Sequence, residues 1–311
     1  MQPSPRSRVL TRAIAAAALL ALAAAPTTAV EGPFKVLGGA QDQLLPAVNG
    51  TYLVWTESSE AFPHRYHAFA RVRGTTETFR FDPGGSRGYT GGIDPDQDRA
   101  IYQRITGQTS DLYFVNLATR AQRKLPAPAN TSRWERAPRI SNRFVLFARD
   151  TATQATIWLW ERGTNSIERL AAYDFTRFFV EPGAVGERYA TWSVCGPLTC
   201  NAWIHDTEGG TNRRIPTPDG LARYAPAVDE VGMHAYFVRS GQRCGANVRI
   251  MRVPVGALGT APVSLLALPA GIDVGFTLSF TRPADEIDLW FARFRCGPQQ
   301  GDLFRLRDVG V

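Results

Sequence analysis

Histidine and cysteine are scarce in this chain, four of each in 311 residues, and methionine is scarcer still at three. The histidines are His64, His67, His205 and His234. Only "HRYH" brings two of them together, at a spacing of three that suits neither face of a strand and with no carboxylate close in sequence. They read as loop histidines, and no metal site is expected. Lysine is nearly absent. The basic residues are almost all arginine, spread singly without a cluster or stripe, so nucleic acid is not an expected partner. No G-x-S-x-G elbow occurs, and the glycine-rich "DPGGSRGYTGG" (Asp82–Gly92) lacks the lysine and helix of a phosphate loop, so it reads as a flexible connector. No segment holds helical periodicity over several turns. No catalytic residue is singled out and no cofactor is expected.

Long apolar runs are missing too, with one exception at the N-terminus. Arg6, Arg8 and Arg12 precede "AIAAAALLALAAA" (Ala13–Ala25) and "PTTAVEG". A basic start, an apolar core too short to cross a bilayer and a small-residue site predict a secretory signal peptide over residues 1–29. No cysteine follows to accept lipid. Residues 30–311 are therefore expected to be a soluble, exported monomer without a membrane span. Loss of three arginines takes the formal charge from +7 to about +4 (7 − 3), which is modest. In an oxidising compartment four cysteines favour disulfides. Cys195 and Cys200 in "CGPLTC" could close a hairpin loop, while Cys244 in "GQRCGAN" and Cys296 in "FRCGPQQG" could tie successive units. A four-cysteine zinc site is the rival reading, and the single close-spaced pair counts against it.

"GGIDPDQDRAIY" (Gly91–Tyr102) opens with the Asp94, Asp96, Asp98 spacing of an EF-hand loop. The sixth and twelfth positions of such a loop need glycine and glutamate, and here they hold Arg99 and Ile105. The stretch reads instead as a turn between two strands, with its acids facing solvent.

That turn belongs to a repeat. "LPAVNGTYLVWTES" (Leu45–Ser58), "GGIDPDQDRAIYQR", "APRISNRFVLFARD", "EPGAVGERYATWSV" and "APAVDEVGMHAYFV" each join an apolar piece, a polar turn and a β-rich run ending in an aromatic. Those aromatics, Trp55, Tyr102, Phe147, Trp192 and Phe237, return every 45 to 47 residues. A second column, Tyr113, Trp158, Trp203 and Ile250, keeps the same period in the following strand. Four short strands at this spacing are propeller blades. The sixth unit, from "GFTLSF" on, ends after its third strand, and the isolated β-like piece "PFKVLGG" (Pro33–Gly39) supplies the missing one. The prediction is an all-β, six-bladed β-propeller whose ring is closed by an N-terminal strand completing the last blade.

The units resemble TolB-like propeller repeats: "IDPDQDRAIY", "SDLYFVNLAT" and "RKLP" of the second unit match that pattern best, and the similarity extends in degenerate form from about Leu45 to Leu306. The turn glycine is kept as Gly50 but replaced by Gln97 and Asn142. The resemblance implies a protein-binding six-bladed propeller. TolB carries an additional N-terminal α/β domain for which these residues leave no room, so a role in the Tol system is not expected to carry over.

Segments just before the innermost strands line one channel mouth. They bring Tyr89, Trp134, Phe178 and Tyr224 together with Arg87, Arg136, Arg177, Arg223, Glu135 and Glu181. Aromatics among arginines and carboxylates suit recognition of a protein or peptide, a glycan or another small ligand, an acidic one included. The competing reading packs the aromatics between blades and pairs the charges on the rim. A non-catalytic binding propeller is the function this favours. The alternative is a hydrolase or lyase acting on a sugar or lactone, with paired carboxylates or a metal in the channel, and Glu135 and Glu181 as the nearest acids.

Overall fold

The aromatic landmarks recur because each lies in the second strand of a four-stranded antiparallel sheet, where a large side chain is needed to fill the space between neighbouring sheets. A computed structural model describes residues 29–38, 41–58, 66–216, 219–241, 243–281, 286–296 and 301–309. Its first strand, β1 (Ala29–Leu37), stands apart from the five blades that follow it. Blade one is β2 (Gln43–Val48), β3 (Tyr52–Ser58), β4 (Tyr66–Val72) and β5 (Thr78–Arg80); blade two is β6 (Arg87–Ile93), β7 (Arg99–Thr106), β8 (Thr109–Asn116) and β9 (Gln122–Lys124). Blade three comprises β10 (Trp134–Ile140), β11 (Phe144–Asp150), β12 (Gln154–Glu161) and β13 (Ser166–Asp174). Blade four holds β14 (Phe179–Val185), β15 (Tyr189–Cys195), β16 (Cys200–Asp206) and β17 (Thr211–Arg214). Blade five holds β18 (Ala222–Asp229), β19 (His234–Ser240), β20 (Arg249–Pro254) and β21 (Val263–Ala267). The last blade has β22 (Ile272–Thr281), β23 (Glu286–Arg295) and β24 (Gly301–Val309), and β1 is its outer strand, antiparallel to β24 from Ala29 opposite Val309 to Leu37 opposite Leu303. The six-bladed propeller and its closure are as the repeat predicts. The proposed signal peptide lies outside the described residues except for Ala29.

Two columns of large side chains meet across strands. Trp192 stacks on Trp203 with centroids 6.2 Å apart, Tyr102 meets Tyr113 at 5.7 Å, and Phe147 lies opposite Trp158. Blade five departs by one residue: Phe237 faces Met251, and Ile250 lies opposite Val238. No blade can bury both of its faces alone. Accordingly, each of the six apolar clusters straddles two blades. Val54 and Tyr52 meet Tyr102 between blades one and two, Leu146 and Ile157 meet Trp192 between three and four, and Trp55 meets Trp290 between one and six. Burying one such side chain is worth about 2–3 kcal/mol.

Cys195 is bonded to Cys200 across the β15–β16 hairpin, and Cys244 to Cys296, which ties blade five to blade six.

The turn that resembled a calcium loop is corrected in one respect. Asp94 is fully buried rather than solvent-facing, and its carboxylate pairs with Arg162 of the next blade at 3.0 Å. The reach of arginine across the blade boundary is what the local sequence could not show. Asp96 is exposed and accepts a hydrogen bond from Asn142 of the following turn, while Asn49 donates to the carbonyls of Asp94 and Gln97 at 3.1 and 3.2 Å. Farther round, Glu230 accepts the backbone N–H groups of Glu187, Arg188 and Tyr189. Turns on this face thus clasp their neighbours.

The glycine-rich stretch is also only partly a connector. From Arg87 it is inner strand β6, and a Cβ on Gly91 would lie 2.2 Å from the carbonyl oxygen of Pro138, so backbone meets backbone there. Gly183 approaches Pro226 in the same way, at 2.2 Å.

Candidate functional site

All six inner strands slip register near their middle. In blades one, three and five the extra residue has a left-handed backbone (Leu45, Ala137 and Ala225, φ 51°, 50° and 51°) and is followed by Pro46, Pro138 or Pro226. Such a bulge re-aims the side chain that follows. In blade three that side chain is Arg139, which is 4% exposed and crosses the channel. Its guanidinium donates to the carbonyl oxygens of Gly91 (3.0 Å), Pro138 (2.8 Å) and Gly183 (2.8 Å) and to Thr277 Oγ1 (2.8 Å). Glu181 Oε1 lies 3.7 Å away. Burial holds the Arg139 pKa below its usual value, opposed by Glu181.

Arg139 lines one of two cavities along the channel, and its partners Thr277 and Glu181 line the other. On the face where strand turns clasp, a funnel of about 360 Å³ is lined by an aliphatic or aromatic residue from each blade: Val48, Ile93, Ile140, Val185, Val228 and Phe280. On the face where the inner strands begin, a cavity of about 410 Å³ is walled by Tyr66, Tyr89, Phe179 and Phe276, with Glu181 and Asp42 contributing carboxylates. Tyr66 and Tyr89 are 5.1 Å apart, and Phe179 meets Phe276 edge-on at 5.6 Å. Both phenylalanines are exposed, 47% and 37%.

Arg136 braces this second cavity from behind. It pairs with Asp150 at 2.6 Å and Glu181 at 3.2 Å, and lies 5.4 Å from the Phe179 ring centre. Burial raises the Glu181 pKa, opposed by Arg136 and Arg139. Tyr89 is pushed up to about 12, chiefly by burial.

Of the residues picked from sequence, the structure brings together Tyr89 and Glu181 on the cavity, with Arg136 behind them. The rest go elsewhere. Glu135 is fully buried, bonded to Arg149 (2.9 Å) and Thr131 (2.6 Å), and burial raises its pKa against both partners. Trp134 lines a separate polar cavity of about 550 Å³ with Lys124, Asp111 and Phe175. Phe178 packs against Tyr173 between blades three and four. Arg223 is buried on Asp219 (3.0 Å) and over the Phe237 ring. Tyr224 is buried, donates its hydroxyl to Asp273, and has its pKa raised well above normal by burial and then by that carboxylate. Arg87 and Arg177 are exposed. Sequence reasoning missed Asp42, Tyr66, Arg139, Phe179 and Phe276. Phe179, next to Phe178 in "TRFFVEP", was the one signal within reach.

Histidines do not gather. His67 pairs with Asp82 at 2.9 Å and His205 with Asn212 at 2.8 Å, while His64 lies outside the described residues. Among the described residues, the His, Cys, Asp and Glu groups close enough to share a cation are Cys244, Asp273 and Cys296, and those two sulfurs are bonded to each other. No helix among them is long and apolar enough to cross a membrane.

No family model matches the sequence, and no curated protein matches it. Solved structures do. TolB from Acinetobacter baumannii aligns with a TM-score of 0.56 at 12% identity, over 84% of this chain and 64% of its own, so this chain spans somewhat under two thirds of that protein. A TolB of Agrobacterium tumefaciens gives 0.57 at 13% identity, covering 88% of this chain and 92% of the other. An oligogalacturonate lyase in complex with manganese gives 0.52 at 11% identity, covering 91% and 98%. At these identities the likeness carries the fold alone: the six-bladed ring of this chain is a β-propeller of the kind these structures resemble.

Proposed function

We propose that this is an exported, non-catalytic propeller that binds a partner protein or small ligand at the mouth where its inner strands begin. The observation that carries the reading is the aromatic-walled cavity at this mouth, lined by exposed Phe179 and Phe276 and by Glu181 and Thr277, which Arg139 holds from the channel side. Exposed aromatics around a concave site are the composition of binding hot spots. Two disulfides fit an oxidising compartment outside the cytoplasm. The test is cross-linking capture from culture supernatant with wild type, a Phe179→Ala/Phe276→Ala double variant and Trp134→Ala. Partners should be lost with the double variant and kept with Trp134→Ala; partner lists unchanged by the double variant remove this mouth from the account.

A second reading, a lyase or hydrolase on an acidic sugar, has one observation in its favour. Asp42 and Glu181 reach the same cavity from blades on opposite sides of the ring. Incubation with oligogalacturonate and manganese, followed by ultraviolet absorbance of unsaturated product, tests it: formation of product that Glu181→Gln abolishes would replace the binding reading.

A further inference from the structure

The two carboxylates that line the cavity differ. Glu181 is held by Arg136 and Arg139, and Arg136 also binds Asp150. Asp42 has no such cation on it among the described residues; Arg87, at this mouth, acts on Tyr89. Asp42 is 3% exposed, and its Oδ1 accepts the backbone N–H of Gly301 at 3.0 Å, whereas its Oδ2 has no hydrogen-bond partner among the described residues. A buried carboxylate oxygen without a donor is costly, and a positive charge brought up beside it offsets part of that cost.

The walls suit the same kind of ligand. Aromatic faces attract a desolvated cation through their quadrupoles, and the attraction adds to that of a carboxylate behind them. Tyr66, Tyr89, Phe179 and Phe276 surround a space that also touches Asp42. Asp42 is near enough to Tyr66 for its charge, after burial, to help hold that hydroxyl above its usual range.

Resting on the binding reading above, we propose that the mouth is a cation cage whose occupant is the lysine or arginine side chain of a partner peptide, with its charged head among the rings of Tyr66, Tyr89, Phe179 and Phe276 and turned toward Asp42. Glu181 is already neutralised by its two arginines and does not select the ligand. An acidic side chain is disfavoured because it would add a second uncompensated negative charge beside Asp42.

The experiment is isothermal titration of the disulfide-intact protein with acetyl-Gly-Lys-Gly-amide, its norleucine and glutamate counterparts, and free cadaverine. The lysine peptide should bind at least about tenfold more tightly than the norleucine peptide. Asp42→Asn, which keeps the acceptor for Gly301, should erase that preference, and Asp96→Asn on the opposite face should leave it intact. Added salt should weaken the lysine peptide and not the norleucine one. Equal or tighter binding of the norleucine or glutamate peptide overturns the cation assignment, and if Tyr89→Leu then weakens that binding the mouth survives as a site. Cadaverine binding as tightly as the lysine peptide overturns the peptide as the source. Absence of binding by every probe at millimolar concentration overturns the cage itself, leaving the capture experiment to judge the mouth separately.

Discussion

Arg139 Nη2 donates to Thr277 Oγ1 at 2.8 Å, a bond that joins residues 138 positions apart and crosses the axis from the third blade to the sixth. The same guanidinium bonds carbonyls of blades two and four. A channel filled by apolar side chains would leave those carbonyls unpaired. One charged group instead satisfies them and holds Thr277 and Glu181, two residues of the binding cavity's wall.

Replacing it should be expensive. Arg139→Met leaves Glu181 buried with one cation fewer and three carbonyls without a donor, so stability is expected to fall by about 3 kcal/mol or more. Adding Glu181→Gln should recover part of that loss. Urea denaturation midpoints of the single and double variants check both statements, and additive effects would contradict the coupling.

Acidity should act through the buried carboxyls. Burial holds Glu181 and Glu135 above 4.5 in the folded chain. Each therefore binds its proton more tightly folded than unfolded, so its contribution to stability falls as pH rises from 4.5 through the raised value and stays low above it. Midpoints measured across that window should decline, and Glu135→Gln should flatten the decline. An identical profile for wild type and variant would refute the assignment.

Removal of residues 31–37 takes away most of β1 and bares the edge of β24, so the melting temperature should drop sharply and the protein should aggregate. A thermal melt that does not move would show that the last blade holds without its outer strand.

The two disulfides should differ in weight. Cys244–Cys296 closes a separation of 52 residues and Cys195–Cys200 one of 5. Paired alanine substitutions are expected to cost about 4 and about 2 kcal/mol respectively, by loop-closure entropy. Equal losses would place the effect in local packing.

Much of the fold was legible because its packing is periodic: one large side chain per blade must fill the gap to the next, so Trp55 through Phe237 announce themselves by spacing. The longer connection between β19 and β20 places Met251 rather than Ile250 opposite Phe237, an offset of a single residue that a fixed period cannot foresee. The site was far less legible. Asp94 finds Arg162 68 positions away, and the cavity is assembled from β2, β4, β6, β14, β22, β23 and β24, which belong to four different blades. Arg139 is one of three charged residues in β10, and the bulge at Ala137 and Pro138 is what turns it to the axis. Glu135, adjacent to Arg136, leads away from the channel because successive side chains alternate across a strand.

Closure by β1 also orders the history of each molecule. β1 precedes the five intact blades and β24 follows them, so those blades can assemble while the pairing of Ala29 with Val309 waits for β24 to emerge. Contacts of such long range are the slow ones to form. A chain stalled before β24 is complete keeps its fastener open, and quality-control proteases would meet it as an unlatched ring rather than as a slightly shorter protein.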